Sequence, residues 1–176
     1  LVIFVMLVFV AVFADVLVDY DNQVIKQDIV NKRQPPSSEH LMGTDDYGRD
    51  ILARVIYGTR ISLTIGLTTV ACAMAAGIVI GAVSGYFGGR LDNVIMRVMD
   101  VFMSIPSMLL AIAVVASLGP GIVNIMIAVG LALVPGYSRV VRSAVLSVRN
   151  KEFVQAAKAV GDSHFSIILH HIIPNA

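Results

Sequence analysis

The stretch ISLTIGLTTVACAMAAGIVIGAVSGYFGG, from Ile61 to Gly89, runs without a single charged side chain. About 20 apolar helical residues cross the roughly 30 Å hydrocarbon core of a bilayer. The stretch therefore predicts a membrane span over about Ile61 to Tyr86, with Gly85–Arg90 as the turn that follows. Within it Ala73, Gly77, Gly81 and Gly85 recur every four residues and fall on one helical face. In lipid, packing replaces the hydrophobic effect between helices, and small residues at this spacing let two backbones approach closely. These four residues are the expected helix-packing seam.

Working outward, composition agrees with a membrane setting. Hydrophobic residues make up 57% and charged residues 14%, mean hydropathy is +0.82, and a soluble domain carries about a quarter charged residues. Leu1 to Val18 reads as a first span that starts in mid-helix, which implies an N-terminus cut away. A signal peptide over Leu1–Ala14 is the weaker reading, because no charged segment precedes the run. Val101 to Ser138 is uncharged but is interrupted by Leu118-Gly119-Pro120-Gly121, a strong turn signal. It divides into spans over about Val94–Ser117 and Ile122–Ser138, with kinks expected at Pro106 and Pro135. The fold class is thus all-α, a polytopic transmembrane bundle with about four spans.

Charge orients the spans. Arg139, Arg142, Arg149, Lys151 and Lys158 outweigh Glu152 and Asp162 after the last span, whereas residues 19–60 mix both signs. The positive-inside rule then puts the segment from Arg139 onward, and the N-terminus, in the cytoplasm. Arg90 and Arg97, set against Asp92, fall inside as well.

Residues 19–60 form an external loop. Asp19–His40 carries the irregular connection Pro35-Pro36-Ser37-Ser38. Gly43–Asp50 leads into Ile51, Leu52, Val55 and Ile56 at helical spacing, with Thr44 or Asp45 as the expected N-cap. This helix is expected to lie along the membrane surface and to turn inward near Arg60. Asp45, Asp46, Arg49 and Asp50 are candidates for docking an external partner. Their spacing does not suit a Ca²⁺ loop.

Little in the chain points to catalysis. Gly85–Arg90 lacks the Lys-Ser/Thr ending of a phosphate loop. No pair among His164, His170 and His171 has the four-residue spacing that brings two imidazoles to one metal, and Cys72 is the only cysteine. Arg97 and Asp100, three apart, are expected to pair on one helical face. We assign no catalytic residue, no metal site and no nucleic acid partner.

Past the last span, Gln155-Ala156-Ala157, three residues, Gly161, nine residues, and then His171-Ile172-Ile173-Pro174 resemble the EAA loop of ABC-importer permeases, whose pattern is Glu-Ala-Ala-x3-Gly-x9-Ile-x-Leu-Pro. His40–Asp50, Tyr57–Leu63, Gly85–Gly89 and Ile105-Pro106-Ser107 are similar to the C-type permease of dipeptide, oligopeptide and nickel importers. The likeness runs from about residue 40 to the end and departs at Gln155, where the pattern has Glu, and at His171 and Ile173.

The resemblance implies a type I importer fold of six spans in a bacterial inner membrane, with 61–176 as the permease domain, 139–176 as its coupling loop and the C-terminal spans missing. It implies docking of Gln155, Ala156, Ala157, Gly161 and Pro174 on a cytoplasmic ATPase, anchored by Phe153 and Val154. A second short helix would start near Asp162. A B-type permease subunit, an external solute-binding protein and membrane lipid complete the partners, and ATP and Mg²⁺ belong to the ATPases. Peptide is the implied substrate, with nickel or another small solute as the alternative. A secondary carrier or channel is the competing class, but it would place ionisable groups at mid-membrane. An intramembrane enzyme would need a nucleophile and base that the spans lack.

Overall fold

The computed structural model describes residues 1–176. Two compact units divide between Leu67 and Thr68, both sharing the longest helix.

In the first unit the apolar run opens as α1 (Val2–Val12) and α2 (Ala14–Leu17). The expected single span is broken at Phe13, whose φ of −94° and ψ of 12° leave the helical region. The polar segment after it has more order than its composition suggests. Asp19 caps a π-helical turn over Tyr20–Ile25, and Asp28 caps a 3₁₀ turn over Ile29–Asn31. Asp50, not Thr44 or Asp45, caps the next helix: its carboxylate accepts the Ala53 N–H at 2.8 Å, the N-cap to N3 pattern.

That helix, α3 (Ile51–Phe87), corrects the expected elbow at Arg60, because it continues unbroken through it. Nothing near Arg60 breaks a helix. The Thr59 and Thr64 hydroxyls donate back to the carbonyls of Val55 and Arg60, and the Arg60 guanidinium pairs with Asp15. Ile51–Arg60 and the apolar run after it belong to one continuous helix.

In the second unit α3 is followed by α4 (Gly89–Ser104), α5 (Ser107–Leu118) and α6 (Ile122–Val148). The kink expected at Pro106 is a full break, with α4 and α5 bent by 89°. The residue before a proline is pushed out of the helical region, and Ile105 adopts φ −89°, ψ 124°. Pro135, by contrast, lies buried inside α6 without ending it. The Gly119–Gly121 turn is tied by Asn124, whose amide donates to the carbonyls of Leu118 and Gly119.

Two helices, α3 and α6, are long and apolar enough to cross a membrane, with mean hydropathies of 2.1 and 1.5, and the bent α4–α5 pair makes a third if it counts as one span. Only 17% of either apolar window is buried, so most of its surface is left for lipid or other helices.

The seam residues face α6. A Cβ on Gly77 would lie 2.5 Å from Tyr137 Cβ, one on Gly81 2.5 Å from the Ser138 carbonyl oxygen, and one on Gly85 2.9 Å from Val145 Cβ. Ala73 continues the face and is buried. Gly58, on the same helix, has open space around it. Gly81→Val should therefore destabilise the detergent-solubilised protein by about 1–3 kcal/mol through overpacking. Gly58→Ala should be neutral or stabilising by up to about 1 kcal/mol. Thermal unfolding of the two variants checks the contrast, and equal melting temperatures would overturn the seam.

Candidate functional site

The candidate site is the segment after α6. Lys151 leads into α7 (Glu152–Ala159), which closes in a Schellman motif: Asp162 N–H donates to the Ala157 carbonyl and Gly161 N–H to that of Lys158, both at 3.1 Å. Gly161 occupies the left-handed position, φ +83°, that only glycine takes without strain. Ser163 then caps a short helix, α8 (His164–Ser166), which runs on as a π-helical turn over Ile167–Ile172 and a 3₁₀ turn over Ile173–Asn175. The second helix thus starts at His164, close to the expected Asp162.

The segment is fastened to the ends of the long helices. Val154, Ala157, Ile167 and Ile172 form one buried cluster with Ala82 and Tyr86 of α3 and Val145 and Val148 of α6. The Tyr86 hydroxyl and His164 Nδ1 lie 2.8 Å apart, and Lys158 Nζ stands 5.1 Å from the centre of the Tyr86 ring. Asp162 accepts from the Ser166 hydroxyl at 3.1 Å and lies 3.4 Å from His171 Nε2. His170 turns instead to Ser166.

This arrangement redistributes the expected roles within α7. Val154 is fully buried in that cluster, whereas Phe153 is 41% exposed and lies outside it. Ala157 is buried in the cluster rather than displayed, while Gln155 and Ala156 are exposed. The helical period separates the neighbours: Phe153, Ala156 and Val160 form an outward apolar stripe beside the inward pair Val154 and Ala157. Gln155 donates to the Asn150 carbonyl at 3.2 Å and so closes the turn into its own helix. Gly161 and Pro174 are exposed at the two ends of the segment.

Sequence reasoning missed the polar lock beneath this surface. Asp92, in the first turn of α4, is 7% exposed and accepts both Nε and Nη2 of Arg142 at 2.5 Å. The fully buried Ser84 hydroxyl donates to the same carboxylate. Asp100, expected to pair with Arg97, pairs with Arg139 of α6. An i,i+3 pair is worth a few tenths of a kcal/mol, too little to hold Asp100 when a cation on a packed neighbour reaches it. The signal available in sequence was the run of basic residues on α6, read only as an orientation marker.

The docking candidates of residues 43–50 are occupied within their own loop. Asp45 holds Arg49 at 2.8 Å and Arg54 at 2.5 Å and accepts the N–H groups of Tyr47 and Arg49. Asp46 pairs with Arg33, and Asp50 with His40 at 2.8 Å besides capping α3. Gly48, at φ +76°, lets Asp28 cross so closely that a Cβ there would lie 1.7 Å from its carbonyl oxygen. A polar cavity of about 290 Å³ opens beside these residues, lined in part by Asn22, Lys26, Asn31 and Glu39.

Residues 77–176 match the family described as the binding-protein-dependent transport system inner membrane component. The chain belongs to this transport-permease family. It is 43% identical over its whole length to the dipeptide transport system permease protein DppC of Alkalihalophilus pseudofirmus. It is 41% identical over 99% of its length to the probable D,D-dipeptide transport system permease protein DdpC of Escherichia coli K12. A third relative, the glutathione transport system permease protein GsiD of Pectobacterium atrosepticum, is 37% identical over 97% of the chain. The chain spans 57%, 58% and 56% of the length of these three permeases.

The matched region holds Gly77, Gly81 and Gly85 of the seam, the polar lock and the whole α7 segment, while Ala73 and the Asp45 loop lie before it. That loop makes a pH prediction. Burial pushes the Asp45 carboxyl up, but its hydrogen bonds to the Arg49 side chain and to the Arg49 and Tyr47 backbones outweigh this and hold it at about 2, against an ordinary 3.8. Its stabilisation, up to about 2 kcal/mol, is complete above pH 3.8 and is lost as pH falls toward 2. Asp45→Asn should remove most of it at neutral pH. Hydrogen exchange of the Tyr47 and Arg49 amides should speed up severalfold in the variant and, in the parent, only in that acid window.

Proposed function

We propose that this chain is the pore-forming and coupling part of a permease subunit in an ATP-driven importer of short peptides. The observation that carries the proposal is α7 itself: an apolar stripe of Phe153, Ala156 and Val160 is left uncovered on a helix whose neighbouring residues are locked into the ends of α3 and α6. A small apolar helix face held rigidly at the end of two spans is suited to seat in a groove of a soluble motor. The basic residues from Arg139 onward support a cytoplasmic position for it by the positive-inside rule, in a bacterial inner membrane.

In this reading the ATPases bind and hydrolyse ATP, and their closure moves α7. Because Val154 and Ala157 are embedded among Val145, Val148 and Tyr86, displacement of α7 drags the ends of α3 and α6 with it. A second, B-type permease subunit supplies the other half of the pathway. A solute-binding protein delivers substrate on the external side, the side that the positive-inside rule gives to the mixed-charge segment 19–60. That loop keeps its charges paired internally and offers a polar cavity rather than a free acidic patch. The names of the relatives, which cite dipeptide, D,D-dipeptide and glutathione transport, favour a peptide over nickel as the substrate class.

Ala156→Arg in the full-length permease should abolish co-purification of the ATPase and dipeptide uptake, with membrane insertion and melting temperature retained. Ala157→Arg should instead disrupt the loop, because it buries a charge in an apolar cluster. An Ala156→Arg transporter with normal uptake would sink the docking assignment. Reporter fusions at Asn150 and Gln34 should read cytoplasmic and external respectively, and the reverse result would overturn the orientation.

A further inference from the structure

Three helices of the second unit meet at one polar point. The turn between α3 and α4 brings Ser84 and Asp92 together, and α6 delivers Arg142 to both carboxylate oxygens of Asp92. Seven residues further on, at the C-cap of α6, Arg149 Nη1 donates to the Gly85 carbonyl at 2.9 Å. The Arg149 guanidinium lies so close over Gly88 that a Cβ there would meet it at 2.6 Å. Arg139 fastens α4 once more through Asp100. Among these contacts the Asp92–Arg142 fork is the one with a nearly inaccessible carboxylate, 9% exposed at the side chain.

A fork of this kind differs from a surface ion pair. Two parallel N–H···O bonds fix orientation as well as distance. Asp92 keeps one further partner, Ser84, so both oxygens of its carboxylate are hydrogen-bonded within the three-helix junction. The location also matters: Val145 and Val148, which carry the α7 segment, lie on α6 between and beside Arg142 and Arg149. A push on α7 therefore arrives at α6 where α6 is forked to the α3–α4 turn.

We infer that Asp92, Ser84 and Arg142 are positioning residues that make the α3–α4 turn and the end of α6 move as one body when the ATPase drives α7. This rests on the coupling function proposed above and adds the specific tie through which motion reaches α4. Without the fork, α7 still docks, and hydrolysis on the ATPase no longer turns over the pathway in step.

The test uses the full-length transporter with its ATPases, receptor and second permease subunit in liposomes, and reads ATP hydrolysed per dipeptide accumulated. R142K keeps the charge but loses the fork, and should raise that ratio about fivefold or more, the lower range of coupling effects between sites. The double change D92L/R142M removes both charges, which spares the junction an unpartnered buried ion. It should melt like the parent yet keep the raised ratio. If R142K or the double variant transports with the parent ratio, the pair serves only to compensate charge and the inference is overturned. A parent protein that recruits no ATPase defeats the importer reading itself, and does so before any variant is made.

Discussion

The close approach of α3 and α6 across Gly77, Gly81 and Gly85 is the constraint on which the second unit depends. Where a side chain would stand, Tyr137, Ser138, Val141 and Val145 come within 3 Å of the ideal Cβ positions. No apolar drive brings two helices together in lipid, so the dispersion gained along such a seam is a large part of what holds them. The seam also sets the register of everything beyond it. Ser138 and Val145 are fully buried because the backbone of α3 is close enough to cover them. Arg142, between them, then projects at the α3–α4 turn rather than into lipid.

At the far end of the seam the protein builds a core of the kind found in soluble domains. Ile167, Ile172, Val145 and Val154 are fully buried there, and each apolar side chain of this size contributes about 1.5–3 kcal/mol on burial. Membrane-depth surfaces of the same helices remain largely uncovered. The difference has a mechanical meaning. A loop held only by its two chain ends absorbs displacement, whereas one packed through four buried side chains passes it on to the helices beneath. The Schellman closure at Gly161 stiffens the same loop by satisfying the last carbonyls of α7.

What could be read in the sequence follows the range of the interactions involved. The two long apolar runs, the small-residue stripe and the turn at Gly119–Gly121 are encoded within one or two helical turns, and α3, α6 and their close approach lie where those patterns put them, whereas the first and third expected spans are broken at Phe13 and Pro106. Asp92 and Arg142 are fifty residues apart, and no local rule favours that pair over any other acid and base. For the same reason Asp100 looked like a partner for Arg97. The missed elbow at Arg60 has another cause: a change from polar to apolar composition was taken for a change of direction, although a helix needs no break to cross from one solvent to another. In α7 the error was one of grouping. Ala156 and Ala157 are neighbours in a motif but lie about 100° apart around a helix, and only Ala156 stays on the surface.

The two ends of the α3–α6 contact are physically unlike. Along Gly77 and Gly81 the interface is smooth, and small shifts there exchange one set of dispersion contacts for another of similar strength. At Ser84, Asp92 and Arg142 a shift of an ångström or two would break a forked, water-poor ion pair, and the cost rises steeply because the carboxylate has little access to solvent. Relative motion of α3 and α6 is therefore cheapest where the seam is smooth and dearest beside α7, so the junction acts as the pivot of the pair. In the proposed coupling force enters beside this pivot, so that a small displacement of α7 becomes a larger one along the seam. Short, buried polar contacts near the loop and bare glycine along the span are the distribution such leverage requires.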